Sequence, residues 1–168
     1  WIRKNSDNKF DKNGQIAKSG KVNDLILNQA LDNFDIQKYD KSLDIKNFDI
    51  SFAKGLSLED GCATITKFTA YLIAQGLRYI SKDNRITILI CGGGRKNKFL
   101  INCIKNYLGN KSQINLQIID DYNLDGDYVE SQAFGYLSVR SFLNLPISFN
   151  STTGCKFPTV GGKLVKNF

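Results

Sequence analysis

Apolar positions along this chain follow two different periods, and the change of period within residues 85–108 organises the rest. Ile86-Thr87-Ile88-Leu89-Ile90 is short, β-branched and free of charge, which predicts a strand covered on both faces. Cys91-Gly92-Gly93-Gly94 follows at once, and Arg95-Lys96-Asn97 then opens a helical pattern. Phe99, Leu100, Cys103, Ile104, Tyr107 and Leu108 recur at spacings of three and four and share one stripe, with Lys98, Asn102, Lys105 and Asn106 on the other side. The unit is strand, glycine turn, helix. Three consecutive glycines leave the backbone without Cβ cover, so a flat or charged ligand can approach main-chain N–H groups, and the helix start behind them favours negative charge. A nucleotide site and a plain tight turn both fit this pattern.

The flanking pattern is weaker on the N-terminal side. Trp1-Ile2-Arg3-Lys4 reads as the end of a helix, and residues 5–20 as a polar loop around one short helical turn, punctuated by Asn13-Gly14 and Ser19-Gly20. Val22, Leu25, Ile26 and Leu31 predict a short amphipathic helix whose apolar side packs. Over residues 32–56 periodicity dissolves into Asp, Lys and single aromatics (Phe34, Tyr39, Phe48, Phe52), compatible with a substrate-side excursion or an exposed connection. Ser57, with Asp60 three residues on, marks a helix start, and Leu58, Cys62, Ile65, Thr69, Leu72, Ile73 and Gly76 continue the stripe to near Ile80. Gly61 and Gly76 each cost this helix about 1 kcal/mol relative to Ala, which close packing against a sheet or a second chain would offset.

Residues 114–119 give a second apolar strand, ended by Asp120-Asp121, so a parallel β-α-β unit is expected. Asp125-Gly126-Asp127-Tyr128-Val129-Glu130 opens a further helix through Ala133, Phe134, Leu137 and Phe142, and residues 146–168 read as irregular. Two strands are too few for a stable sheet beneath helices of this length. Sequence preceding Trp1 is therefore expected to complete it.

Composition narrows the function classes. With 168 residues, 42% hydrophobic and 23% charged, the chain can bury one ordinary domain core. No apolar run approaches the roughly 18 residues of a membrane helix, and no signal-peptide core follows Trp1, so a cytoplasmic address without a membrane partner is the default. The net charge of +7 comes from basic residues scattered singly among Asp, without a dense cluster, so no nucleic-acid partner is expected. Four well-separated cysteines and no histidine argue against a zinc site and exclude any histidine-based mechanism carried by this chain alone. Three of the four cysteines lie in apolar or turn contexts and read as packing residues, and acid–base chemistry would need carboxylates. Glu130 stands out, because Asp outnumbers Glu fourteen to two. It suits a capping box with Asp127, and equally a carboxylate beside a cleft that accepts hydrogen bonds from sugar hydroxyls. The glycine run lacks the third spaced glycine of a dinucleotide fold, and no Gly-Lys-Ser/Thr of a P-loop follows it.

Taken together, Cys-Gly-Gly-Gly-x-x-Asn-x-x-Leu at 91–100, Asp127-x-x-Glu130 with Ala133-Phe134 and Arg140, and Thr153-Gly154 followed by Val160-Gly161-Gly162 resemble the C-terminal half of anhydro-N-acetylmuramic acid kinase. Trp1-Ile2, Phe10-Asp11-Lys12-x-Gly14, Ala17, Gly20-Lys21-Val22 and Ala63-Thr64 match in the same order, so the resemblance covers the entire chain. It implies the second lobe of a two-lobed α/β sugar kinase of the actin, hexokinase and Hsp70 type (ribonuclease H-like). Residues 1–168 would form that C-terminal lobe, and residues 57–168 its β-α-β nucleotide-binding part.

The resemblance further implies ATP and Mg2+ as cofactors and an anhydro-amino-sugar substrate. The reaction would be hydrolytic ring opening with phosphorylation to N-acetylmuramic acid 6-phosphate in peptidoglycan recycling. Gly92, Gly93, Gly94 and Asn97 would line the adenosine side of the nucleotide, and Glu130 would contact the sugar. The family's general-base Asp and phosphate motifs would precede Trp1, so this chain is expected to hold no catalytic residue, to keep its metal site mainly outside itself, and to be inactive alone. A homodimer through this lobe is compatible with the family. A non-catalytic nucleotide-binding or interaction module, as a remnant or a subunit of a split enzyme, is the alternative. Where the family carries Pro-Pro-Lys-Ser-Thr-Gly-Arg, this chain has Tyr39-Asp40-Lys41-Ser42-Leu43-Asp44-Ile45, keeping only Lys41-Ser42. An altered substrate loop or a decaying gene would account for that.

Overall fold

The structure, a computed structural model, describes residues 1–34, 47–81, 84–110 and 113–165. The divergent stretch from Tyr39 to Ile45 lies outside the described residues. The chain is α/β, and its described residues form a two-stranded parallel sheet. Strand β1 (Ile86–Ile90) pairs with β2 (Ile114–Ile118) in register from Ile86 opposite Ile114 to Ile90 opposite Ile118. Between them runs α5 (Lys98–Leu108), so the expected β-α-β unit forms. Before it lie α1 (Ile2–Asn5), α2 (Gln15–Ser19), α3 (Asp24–Asp32) and the long α4 (Leu58–Ser81), and after it α6 (Val129–Phe142) and α7 (Asn150–Thr153).

The main core joins α4, α5 and one sheet face. Ala70 and Ala74 of α4 meet Ile101, Cys103, Ile104 and Leu108 of α5 over Ile114 and Leu116 of β2. Small residues at the α4 contact let the two helices approach closely, so the expected stripe of larger α4 side chains is only partly the packing face. Ile73 is 39% exposed, whereas Ala63, Ala70 and Ala74 are fully buried. On β1 the cover alternates: Ile86, Ile88 and Ile90 are half-buried, and Thr87 and Leu89 are exposed. This corrects the expectation of a strand covered on both faces. Only the face toward the α4 and α5 core is packed, because among the described residues no element lies over the other.

The start of α4 is gripped as its sequence suggests. The Ser57 hydroxyl accepts from the Asp60 N–H at 3.1 Å, while the Asp60 carboxylate accepts from Lys21 N–H at 2.7 Å. The Trp1 indole lies against Gly61, where an added Cβ would stand 2.2 Å from Cζ2, and its Nε1–H donates to the Leu58 carbonyl at 2.9 Å. Close packing that offsets the Gly61 helix cost is therefore supplied within the chain. A second core forms where Phe68 of α4 receives Phe34 edge-on (centroids 5.5 Å apart) and Phe52 (5.1 Å apart), with Phe48 stacked on Phe34. The described ends of the 32–56 stretch are thus anchored by aromatic packing. In α3 the buried position is Leu27, and Leu25 is 79% exposed, correcting the predicted stripe.

Helix α6 has no buried residue, so Ala133, Phe134, Leu137 and Phe142 form no buried stripe. It is held to the tail instead: Arg140 Nε donates to the Pro146 carbonyl at 2.7 Å, and Ser141 Oγ to the Gly161 carbonyl. Ser148 bridges antiparallel to Thr159, giving the tail more order than its sequence suggests. Among the described residues, no helix is long and apolar enough to cross a membrane.

Candidate nucleotide-loop site

Where β1 ends, its backbone turns outward through the glycines. Gly92 has φ 75°, which favours glycine, and its N–H donates to the Gly126 carbonyl at 2.9 Å. Residues Gly93–Lys96 form a single tight helical turn, so α5 begins only at Lys98, three residues later than the sequence pattern suggests. Gly92, Gly93 and Gly94 are exposed, and a Cβ at any of them would meet nothing within 4 Å. Main-chain N–H groups at Gly93 and Gly94 have no partner among the described residues. The turn therefore offers open approach and two free donors near a helix start, an arrangement suited to an anion.

Asn97 does not point freely into that space. Its Oδ1 caps α5 by accepting from Leu100 N–H at 2.9 Å. It is also packed by the N-terminal part of the chain, since a Cβ on Gly14 would stand 2.1 Å from Asn97 Oδ1. Gly14 meets this approach with φ 73°, and Asp11 braces the turn by accepting from Ile16 N–H at 2.8 Å and Ala17 N–H at 3.0 Å. Two sequence motifs some 80 residues apart thus meet at Asn97.

The residue that sequence reasoning missed is Arg95. Its side chain is only 5% exposed and faces inward. Nε and Nη2 donate to the two Asp120 carboxylate oxygens at 2.6 and 2.9 Å, a bidentate pair. Nη1 donates to Asp127 Oδ1 at 2.6 Å and to the Gly92 carbonyl at 2.9 Å, and Asp125 Oδ1 stands 3.8 Å from Nη2. Lys96 adds a second cation to Asp127. Gly126 is required by this packing, because a Cβ there would lie 2.4 Å from Arg95 Nε. Hydrogen bonding to Arg95 holds the Asp120 carboxyl below its usual value, and that from Arg95 and then Lys96 holds Asp127 down at about 2. The Arg95 guanidinium is correspondingly raised, chiefly by its hydrogen bond to Asp120. Detection from sequence would have needed the local density of Asp at 120, 121, 125 and 127, set against one Arg beside the glycines.

This clamp removes the capping-box alternative for Asp127 and Glu130. With Asp127 committed to Arg95 and Lys96, no side chain among the described residues caps α6, and the Asp127 N–H turns back to Asp125 Oδ1 at 2.9 Å. Glu130 sits exposed in the first turn of α6 with no partner among the described residues, so its carboxylate is available as an acceptor. Thr153 and Gly161-Gly162 serve the tail itself. Thr153 bonds Ser148, and a Cβ on Gly161 or Gly162 would collide with Ile147 or Ser141. Among the described residues no group of three His, Cys, Asp or Glu side chains could hold a metal ion. Cys62 and Cys103 are buried as packing residues, but Cys91 is exposed and Cys155 half-buried.

The geometry defines an α/β chain with a glycine loop at the carboxyl end of a parallel strand. Comparison with known proteins then specifies the family: the model of anhydro-N-acetylmuramic acid kinase matches residues 1–167. The chain belongs to the anhydro-N-acetylmuramic acid kinase family. Among its relatives, the anhydro-N-acetylmuramic acid kinase of Pelagibacter ubique is 49% identical over 100% of this chain and 46% of its own length. That of Zymomonas mobilis is 36% identical over 98% of the chain and 44% of its own length, and anhydro-N-acetylmuramic acid kinase 2 of Jannaschia sp. is 35% identical over 92% and 40%. The chain thus spans less than half the length of the curated relatives it matches.

Proposed function

We propose that residues 1–168 form the C-terminal lobe of an ATP-dependent kinase of 1,6-anhydro-N-acetylmuramic acid, with residues 57–168 as the nucleotide-binding part of an actin-like fold. The product would be N-acetylmuramic acid 6-phosphate, formed by hydrolytic opening of the anhydro ring with phosphorylation, in peptidoglycan recycling. The observation that carries this reading is the glycine loop of a family member, with two amides unpartnered and no side-chain cover among the described residues. ATP, bound with Mg2+, would supply the phosphoryl group. Gly92, Gly93 and Gly94 admit the nucleotide to the backbone, and Asn97, by capping α5, fixes the loop on the adenosine side. Glu130 accepts hydrogen bonds from sugar hydroxyls. Arg95 and Lys96 already neutralise carboxylates, so neither stabilises charge on the transferring phosphoryl group, and the general-base Asp is expected from the remainder of the longer kinase. The isolated chain would then be inactive.

Isotope-edited NMR of the intact protein titrated with a non-hydrolysable ATP analogue tests the assignment. Shifts at the Gly93, Gly94 and Asn97 amides support it, and sugar addition should then move the amide of Glu130. Nucleotide-induced shifts confined elsewhere would remove the loop from the nucleotide site.

A further inference from the structure

We propose that Arg95 is a positioning residue that makes the glycine loop and the start of α6 a single rigid body, so that the nucleotide site and the sugar carboxylate Glu130 are held in one frame. One guanidinium bonds to three separate segments. It holds the Gly92 carbonyl of the loop, Asp120 just beyond β2, and Asp127 three residues before Glu130. The loop is tied back a second time by Gly92 N–H to Gly126 carbonyl, so residues 92 and 126–127 are joined by main chain and side chain together. From Asp127 the path to Glu130 is short and stiff. Asp127 N–H bonds Asp125 Oδ1, Tyr128 N–H bonds the Asp125 carbonyl at 3.1 Å, and Gln132 N–H enters the helix ladder on the Tyr128 carbonyl.

Elsewhere α6 has no buried residue, so apolar packing does not fix the position of its first turn. The orientation of Glu130 relative to the glycines therefore rests on the clamp. Lysine could not replace the arginine, because a single ammonium cannot present a fork to Asp120 while also reaching Asp127 and the Gly92 carbonyl.

The role of Glu130 and the glycines in this coupling rests on the kinase reading, whereas the mechanical coupling does not. Both are tested in the intact protein with Arg95→Lys and with Gly126→Ala, which keeps every charge but places a Cβ 2.4 Å from Nε. Hydrogen exchange followed by mass spectrometry should show residues 92–97 and 127–132 gaining exchange together in both variants, by about tenfold or more, with β1, α4 and α5 unchanged. KM for ATP and KM for the anhydro-sugar should rise together, each by about tenfold, with a smaller fall in kcat. Exchange that rises in one segment only, or throughout the chain, overturns the coupling, as does a change in one KM alone or full rescue by lysine. If the wild-type protein fails to phosphorylate the sugar, the kinase reading fails by itself, and the exchange result alone decides the coupling.

Discussion

Arg95 and Asp120 form a bidentate pair, Nε to Oδ2 at 2.6 Å and Nη2 to Oδ1 at 2.9 Å, with the arginine side chain almost wholly enclosed. The pair joins a turn after the first strand to a residue just beyond the second. Arg95 also bonds the Gly92 carbonyl, so the cation shapes the loop while the Gly93 and Gly94 amides keep no partner among the described residues.

The acid limb of stability follows from this clamp. Asp127 and Asp120 have carboxyls lowered by their hydrogen bonds to Arg95, Asp127 to about 2. A lowered folded-state value stabilises the fold above the unfolded carboxylate value of about 3.9, and that stabilisation is lost as pH falls toward the folded value. Urea midpoints should therefore fall between about pH 5 and pH 2, and Asp127→Asn should have a lower midpoint at neutral pH and a shallower decline. An unchanged slope in the variant would remove Asp127 from the acid transition.

Glycines of the loop and glycines of the packing should behave in opposite ways. Gly93→Ala meets open space at a φ that carries no strain, so its unfolding free energy should stay within about 0.5 kcal/mol of wild type while nucleotide affinity drops. Gly20→Ala would place a Cβ 2.1 Å from the Glu59 carbonyl and should lower stability by more than 1 kcal/mol, roughly the overpacking cost. Thermal or denaturant melts paired with nucleotide titration read both.

Phe68 is 4% exposed at the junction of α4 with Phe34 and Phe52. Phe68→Ala should cost about 3–5 kcal/mol, by loss of buried area and the cavity left behind. Denaturant unfolding measures it, and a loss below about 1 kcal/mol would contradict the aromatic anchor.

Thiol labelling should divide the cysteines in two. Burial, reinforced by the Asp11 carboxylate, pushes the Cys62 thiol up to about 12, and burial also raises Cys103. Cys155 is lowered by hydrogen bonds, first from Thr153 and then from Ser148. Since the thiolate is the reactive form, Cys91 and Cys155 should react in the folded protein near neutral pH, and Cys62 and Cys103 only on unfolding. Mass spectrometry of labelled peptides checks the order.

Local pattern carried the two strands, α4 and α5, because each has its own hydrophobic period or capping residue; the Ser57 cap and the glycine loop follow from the same signals. What escaped depends on contacts distant in sequence. Arg95 has partners 25 and 32 residues downstream, and a single charge beside glycines has no periodicity to betray it. Asp127 and Glu130 carry capping-box spacing, yet the charge-assisted bonds from Arg95 and Lys96 take the aspartate. The aromatics at 34, 48 and 52 are spaced too irregularly to reveal a common partner in Phe68. One-sided cover of β1 was hidden because a short apolar run looks the same whether one face or both are packed.

In the proposed kinase, this chain supplies the nucleotide loop and the carboxylate that meets the anhydro-amino-sugar. Phosphorus NMR of the intact protein with ATP, Mg2+ and 1,6-anhydro-N-acetylmuramic acid tests it most directly. A new sugar phosphomonoester should form in step with ADP, and Glu130→Gln, folded as wild type, should raise the sugar KM. ADP formed without sugar phosphate, or ATP left unchanged by the folded intact protein, would contradict it.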